Sequence, residues 1–267
     1  MPDPTDVLYE KRSGVARLTI NRPASLNALR TQTYEELITC MRDATLDDGV
    51  GVIVMTGAGD RAFSAGGDVK EQQTRTTASG RQHVNRLMEL ARLIRGGGKP
   101  VIAAVNGYAV GAGNEIHLMC DLTIASDRAV FAEAGTRVGT APVWGSTQLL
   151  PRLLGDKRAR EMIYLCRRFT AAEAYDLGLV NKVVEHADLD REVSQWCEDL
   201  LDKSPQALRI AKTSINYESD QLYSSFVHGL EMMSLVYGNP EFLEGVNAFL
   251  EKRPTDYRRF RGAHEGE

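Results

Sequence analysis

Two stretches of small residues carry the pattern from which chemistry can be argued. Phe63-Ser64-Ala65-Gly66-Gly67-Asp68 follows the turn Gly57-Ala58-Gly59-Asp60. Asn106-Gly107-Tyr108-Ala109-Val110-Gly111-Ala112-Gly113 follows a strand and opens a helix running to about Cys120. Small residues let a ligand come close to the main chain. Backbone N–H groups at a helix start favour negative charge through the helix dipole. Two such loops side by side make a two-donor oxyanion hole, in which one donor contributes about 3 kcal/mol to the transition state. The alternative is a pair of tight strand-to-helix turns without a ligand. No Gly-Lys-Ser/Thr follows either loop, and neither matches the dinucleotide G-x-G-x-x-G in its usual setting.

The elements that position these loops read as an α/β fold. Val15–Ile20 alternates apolar and polar residues, as a half-buried strand does, whereas Val50–Met55 and Val101–Val105 are nearly continuous apolar runs suited to strands covered on both faces. Between them, Tyr34, Leu37, Ile38, Met41 and Ala44 form one helical stripe within Thr33–Leu46, and Leu87, Leu90, Ala91 and Ile94 form another within Val84–Ile94. From Thr147 the pattern turns helical, with periodic segments at Lys157–Cys166, Ala171–Leu177, Asp188–Leu201, Pro205–Ile215 and Phe242–Glu251. Ser204-Pro205 starts one helix and Arg253-Pro254 stops the last. This divides the chain into an α/β core over residues 1–200 and a C-terminal helical region over 201–267, with the boundary near Cys197–Ser204.

Composition narrows the function classes. The chain has 267 residues, 43% of them hydrophobic and 25% charged, and a net charge of -4. That balance gives no concentrated positive field, so no nucleic-acid or anionic-membrane partner is expected. Cys40, Cys120, Cys166 and Cys197 form no C-x-x-C pair, which points to reduced thiols in a cytoplasmic protein. Met1–Val7 lacks the basic and apolar regions of a signal peptide, and no apolar run is long enough to span a bilayer. His83, His117, His186, His228 and His264 show no metal-ligand spacing; Asp68 and Asp121 read as turn and capping residues.

From Val7 to Phe260 the chain resembles the crotonase, or enoyl-CoA hydratase/isomerase, superfamily. The landmarks are Leu18–Pro23, Leu26-Asn27-Ala28-Leu29, Ala62–Asp68, Lys99–Gly107, Cys120-Asp121-Leu122, Ala171–Ala174, Leu177–Val180 and Glu251-Lys252-Arg253. The resemblance implies a ClpP/crotonase-like spiral of ββα units with a C-terminal helical trimerisation region, assembled as trimers or a dimer of trimers. It implies an acyl-CoA substrate, with coenzyme A as part of that substrate and no other cofactor or metal. The thioester carbonyl would accept hydrogen bonds from the N–H groups of Gly67 and Ala112. Leu26–Ala28 and Ala65–Val69 would form the CoA-facing wall, with Gly66 and Asp68 inside it and Gly111 beside Ala112. Lys252 matches a basic residue that reaches CoA phosphates, often on a neighbouring subunit; read alone, it is a solvated lysine.

At the acid–base positions the resemblance is mixed. Gly111-Ala112-Gly113-Asn114-Glu115-Ile116 matches a Gly-Gly-Gly-x-Glu-Leu segment of hydratases, so Glu115 is expected to be the principal general acid/base. The position of their second glutamate is Gly135. Glu133, two residues earlier, is expected to be an exposed loop carboxylate; its substitution for the missing glutamate is the alternative. Gly135, Tyr237, Gly57–Phe63, Lys157–Glu161 and Tyr164–Arg168 look closer to dihydroxynaphthoyl-CoA synthase and the ring-opening 2-ketocyclohexanecarboxyl-CoA hydrolase. In that branch the matching tyrosine often arrives across a subunit boundary. Thr140 stands where that branch has a serine, its aspartate is missing, and it has an apolar residue at the position of Glu115. Thr140 or Tyr237 would position substrate or water. Trp144 and Tyr108 would line the acyl pocket, or Trp144 would simply pack in the core. The expected activity is that of a lyase of the enoyl-CoA hydratase/isomerase type. The alternatives are Claisen-type C–C chemistry and a catalytically reduced CoA-binding protein.

Overall fold

The computed structural model describes residues 5–261; Met1–Pro4 of the N-terminal reading and His264 lie outside the described residues. β1 (Val7–Arg12) and β2 (Val15–Ile20) form an antiparallel hairpin. They are followed by β3 (Val52–Gly57), β4 (Ala62–Ser64), β5 (Val101–Val105), β6 (Tyr108–Val110), β7 (Leu122–Ser126), β8 (Val130–Ala132), β9 (Arg168–Thr170) and β10 (Lys182–Val184). The larger sheet has the order β1-β2-β3-β5-β7-β10, parallel from β2 onward. The smaller sheet has the order β4-β6-β8-β9, with only β9 antiparallel. The chain thus climbs in turns, each laying a strand in the larger sheet and a short strand in the smaller one before a helical segment or loop. This is the crotonase spiral of ββα units.

The apolar runs of β3 and β5 serve two cores. Ile53, Met55, Ala103 and Val105 face α1 (Thr31–Leu46) and α3 (Thr77–Gly96), which follows the short helix α2 (Val69–Gln73). Val52, Val54, Ile102 and Ala104 face the opposite way. On the first side also lie α4 (Ala112–Met119), α5 (Ser146–Leu154), α6 (Asp156–Leu165) and α7 (Ala171–Asp176). The other face is covered by Leu189, Val193 and Cys197 of α8 (Leu189–Leu201). Three more helices, α9 (Pro205–Asp220), α10 (Tyr223–Val236) and α11 (Pro240–Leu250), pack back on α2 and α3.

α3 differs from expectation in its start, and α2 and α10 lie outside the expected helical segments. α3 begins seven residues before Val84, because Thr76 and Ser79 form a capping box that extends it. α10 lacks a clean stripe: it buries Leu230 and Met233 while Met232 and Leu235 are exposed, so its apolar residues run around the helix.

The return of α9 is fixed by one buried cation. Lys212 Nζ donates to Ile94 O at 2.7 Å, to Lys99 O at 2.9 Å and to Asp121 Oδ2 at 2.7 Å. Asp121 also accepts from Val101 N–H at 2.7 Å, so it ties α9 to the start of β5. Lys212→Met removes the cation and leaves its acceptors behind. We expect a loss of about 3 kcal/mol, as when one member of a buried pair is removed. Urea unfolding reads this directly, and an unchanged midpoint would show that the pair does not hold α9 in place.

Candidate active site

The parallel strands of the smaller sheet end side by side, and the loops leaving β4, β6 and β8 meet around one cavity of about 550 Å³. The loop after β4 is held by a second loop, 26–29. Ala65 N–H donates to Leu26 O at 2.9 Å, Leu29 N–H to Gly66 O at 2.8 Å and Asp68 N–H to Leu29 O at 2.8 Å. Asn27, fully buried, fastens the pair by donating to Ala58 O at 2.9 Å and Ala62 O at 2.7 Å. Gly66 has φ +94°, and a Cβ there would stand 2.8 Å from Val110 O and 3.5 Å from Ala112 N. Only glycine allows the loops after β4 and β6 to come this close. Among the described residues, neither Gly67 N–H nor Ala112 N–H has a hydrogen-bond acceptor. Ala112 opens α4, so its N–H is one of the unpaired donors at a helix start. The two donors border the same cavity.

Two carboxyls, not one, border the same cavity. Glu115 on α4 is buried, and its Oε1 accepts from Trp144 N–H at 2.8 Å. Glu133, in the loop after β8, is only 1% exposed. This overturns its expected exposure: the two-residue offset from Gly135 carries its side chain inward to the cavity wall. Glu133 Oε1 accepts from Ser146 Oγ at 2.6 Å and Asn114 Nδ2 at 2.7 Å, while its Oε2 is buried without a partner. Ser146 also faces Glu115. Burial pushes the Glu133 carboxyl up to about 7, against the opposing hydrogen bonds from Ser146 and Asn114. Burial, reinforced by the charge of Glu133, raises Glu115 well above the ordinary carboxylate range. The charge on one carboxyl raises the other, so the pair titrates as a unit.

A polar chain behind the pair fixes Asn114. His117 Nε2 lies 3.0 Å from Asn114 Oδ1, and its Nδ1 lies 3.3 Å from Thr123 Oγ1. Burial depresses the His117 pKa to about 3, so the ring is neutral. One tautomer satisfies the whole run: Thr123 donates to His117, His117 to Asn114, and Asn114 to Glu133. Asn114 and Ser146 were not singled out from the sequence. The available signal was the spacing of Asn114 and His117, which puts them on one helical face.

The inner end of the cavity is aromatic. Tyr34, His83, Trp144 and Tyr237 line it. The rings of Tyr34 and His83 lie 5.0 Å apart, Tyr34 and Trp144 5.9 Å apart, and His83 and Tyr237 6.4 Å apart. Trp144 both lines the cavity and packs in the core, donating its Nε1–H to Leu87 O at 2.8 Å. Tyr237 comes from this same chain, under the Arg75 guanidinium at 5.2 Å from the ring centroid. A Cβ at Gly80 would stand 2.4 Å from Tyr237 Cδ2. That close approach explains a glycine in the first turns of α3, where alanine would favour the helix by about 1 kcal/mol.

Of the residues selected from the sequence, Leu26, Ala65, Gly66, Gly67, Val69, Tyr108, Gly111, Ala112, Glu115, Gly135, Thr140, Trp144 and Tyr237 all border the cavity. Ala28, Asp68 and Lys252 do not. The carbonyl of Ala28 accepts from Arg22. Asp68 caps α2 through Lys70 N–H at 3.1 Å and pairs with Arg22 at 2.9 Å. Lys252 has φ 54° just past α11 and is exposed. The cations of this chain that border the cavity are Arg61, Arg137 and Arg168. Among the described residues, no three His, Cys, Asp or Glu side chains form a group that could hold a metal ion, and no helix is long and apolar enough to cross a membrane.

The sequence profile described as enoyl-CoA hydratase/isomerase matches residues 10–259. An enoyl-CoA hydratase from Mycobacterium avium subsp. paratuberculosis is 31% identical, covers 95% of this chain and 98% of its own, and superposes with a TM-score of 0.87. An enoyl-CoA hydratase from Bacillus anthracis is 32% identical over 95% of this chain and 99% of its own, with a TM-score of 0.77. An enoyl-CoA hydratase/isomerase from Xanthobacter autotrophicus is 30% identical over 92% and 93%, with a TM-score of 0.85.

Proposed function

This chain belongs to the enoyl-CoA hydratase/isomerase family, and from that premise we propose that it adds water across the double bond of an enoyl-CoA thioester. The carrying observation is the convergence on one cavity of two acceptor-free backbone N–H groups and two buried carboxyls with raised pKa values.

The thioester carbonyl sits against Gly67 and Ala112 N–H, which strengthen their hold as it becomes an enolate oxygen. Glu133, whose ionised form Ser146 and Asn114 hold by hydrogen bonds, takes a proton from a water molecule. The water oxygen bonds to the β-carbon and the double-bond electrons move to the enolate. Glu115 in its protonated form delivers its proton to the α-carbon, and the electrons return from the oxygen. Glu133 now holds a proton and Glu115 has lost one; transfer between them past Ser146 resets the pair. The same groups support isomerisation when the proton is taken from carbon. Thr140 and Tyr237 position the acyl group or the water. The reading needs no cofactor beyond the coenzyme A of the substrate. Arg61, Arg137 and Arg168 supply the positive charge that the CoA phosphates require. The exposed Met232, Leu235 and Phe249 support self-association through the C-terminal helices.

Ring closure or opening through the same enolate is the second reading, favoured by Tyr237 and Gly135 at the cavity wall. Turnover of enoyl-CoA and cyclic β-ketoacyl-CoA thioesters in heavy-oxygen water separates the two. Label in a new hydroxyl supports hydration, and label in a freed carboxylate supports C–C cleavage. Label in neither would remove both readings.

A further inference from the structure

His83 has no place in the chemistry above, yet it borders the cavity and is only 6% exposed. Its Nδ1 is buried without a partner, and among the described residues neither ring nitrogen makes a hydrogen bond. The imidazole stands between Tyr34 and Tyr237, on a wall otherwise built by Leu87, Leu230 and Met233. Burial, with Arg75 and Arg86 nearby, holds its pKa well below the ordinary histidine range, so the ring stays neutral. A neutral imidazole offers one donor and one acceptor. An apolar residue would serve a purely hydrocarbon chain better at position 83, because a buried polar group without a partner costs stability.

We infer that the inner end of the cavity selects an acyl group carrying a neutral oxygen, a hydroxyl or keto group remote from the thioester, with His83 as its hydrogen-bond partner. A hydroxyl matches an imidazole in both directions, donating to one nitrogen or accepting from the other, while the aromatic walls cover the carbon skeleton. The inference rests on the acyl-CoA reading of the cavity and adds the class of acyl group to it.

Equilibrium binding of straight-chain enoyl-CoA thioesters, each paired with its terminally hydroxylated counterpart, tests the assignment. In an apolar pocket the added hydroxyl weakens binding, because its desolvation is uncompensated. Here the hydroxylated member of at least one pair is expected to bind about tenfold more tightly. His83→Phe should abolish that preference, whatever it does to the affinity for the plain thioester. His83→Gln, which keeps both kinds of hydrogen-bonding atom, should retain part of it and covers the case in which the phenylalanine variant fails to fold. Equal or weaker binding of every hydroxylated member would overturn the inference alone, as would a preference that survives in the folded His83→Phe protein. Failure of every thioester to bind would overturn the acyl-CoA reading itself and this inference with it.

Discussion

Glu115→Gln is expected to lower turnover of an enoyl-CoA thioester by about 10³-fold, within the range that a positioned acid or base contributes. The substitution is conservative in shape. The glutamine oxygen still accepts from Trp144 N–H, so the cavity wall and the core tryptophan keep their places. Only the transferable proton is lost. Exchange of solvent hydrogen into the α-carbon should fall in parallel, because that carbon is where Glu115 delivers. Turnover within a few-fold of the parent would end the assignment of Glu115 as the principal acid. Retained thioester binding in the variant would show that the loss lies in the chemistry and not in the grip.

Glu133→Gln is expected to cost about 10²–10³-fold in turnover, and it carries a second signature in stability. The folded carboxyl has its pKa at about 7, above the ordinary 4.5. Between those values the folded protein binds the proton more readily than the unfolded chain does. Stability therefore falls as the pH rises through that window, and the penalty is complete above it. Glutamine removes the penalty while its oxygen still accepts from Ser146 and Asn114. The variant should melt about 5 °C higher than the parent at pH 8, and the gap should close toward pH 4. The parent's rate should rise with pH through about 7 as Glu133 ionises, and the variant should lose that limb. A variant that is both inactive and less stable at pH 8 would instead mark Glu133 as structural.

The parts of the site that depend on the main chain were legible in the sequence. The runs 63–68 and 106–113 stood out because close approach of two loops requires small residues in a local run, whereas the choice of Gly67 and Ala112 within them came from the family resemblance. The apolar strands and the stripe of α1 were legible for the same reason, since a local period records which face is covered. Glu133 was misread because its environment is assembled from Asn114 on α4 and Ser146 on α5, and no spacing within 131–135 reports it. Gly80 shows the same limit: its reason is Tyr237, from a helix terminus far along the chain.

The division between main-chain donors and side-chain acids has an evolutionary consequence. A substitution at position 112 alters a side chain but leaves its N–H in place, as alanine itself illustrates; only proline would delete the donor. Under the proposed mechanism, the grip on the thioester is thereby buffered against drift in the coding sequence of that loop. The carboxyls, carried on the ends of different strands and helices, have no such buffer. If the proposed mechanism holds, lineages that share this scaffold can lose, shift or replace an acid–base group one codon at a time while enolate stabilisation is inherited intact.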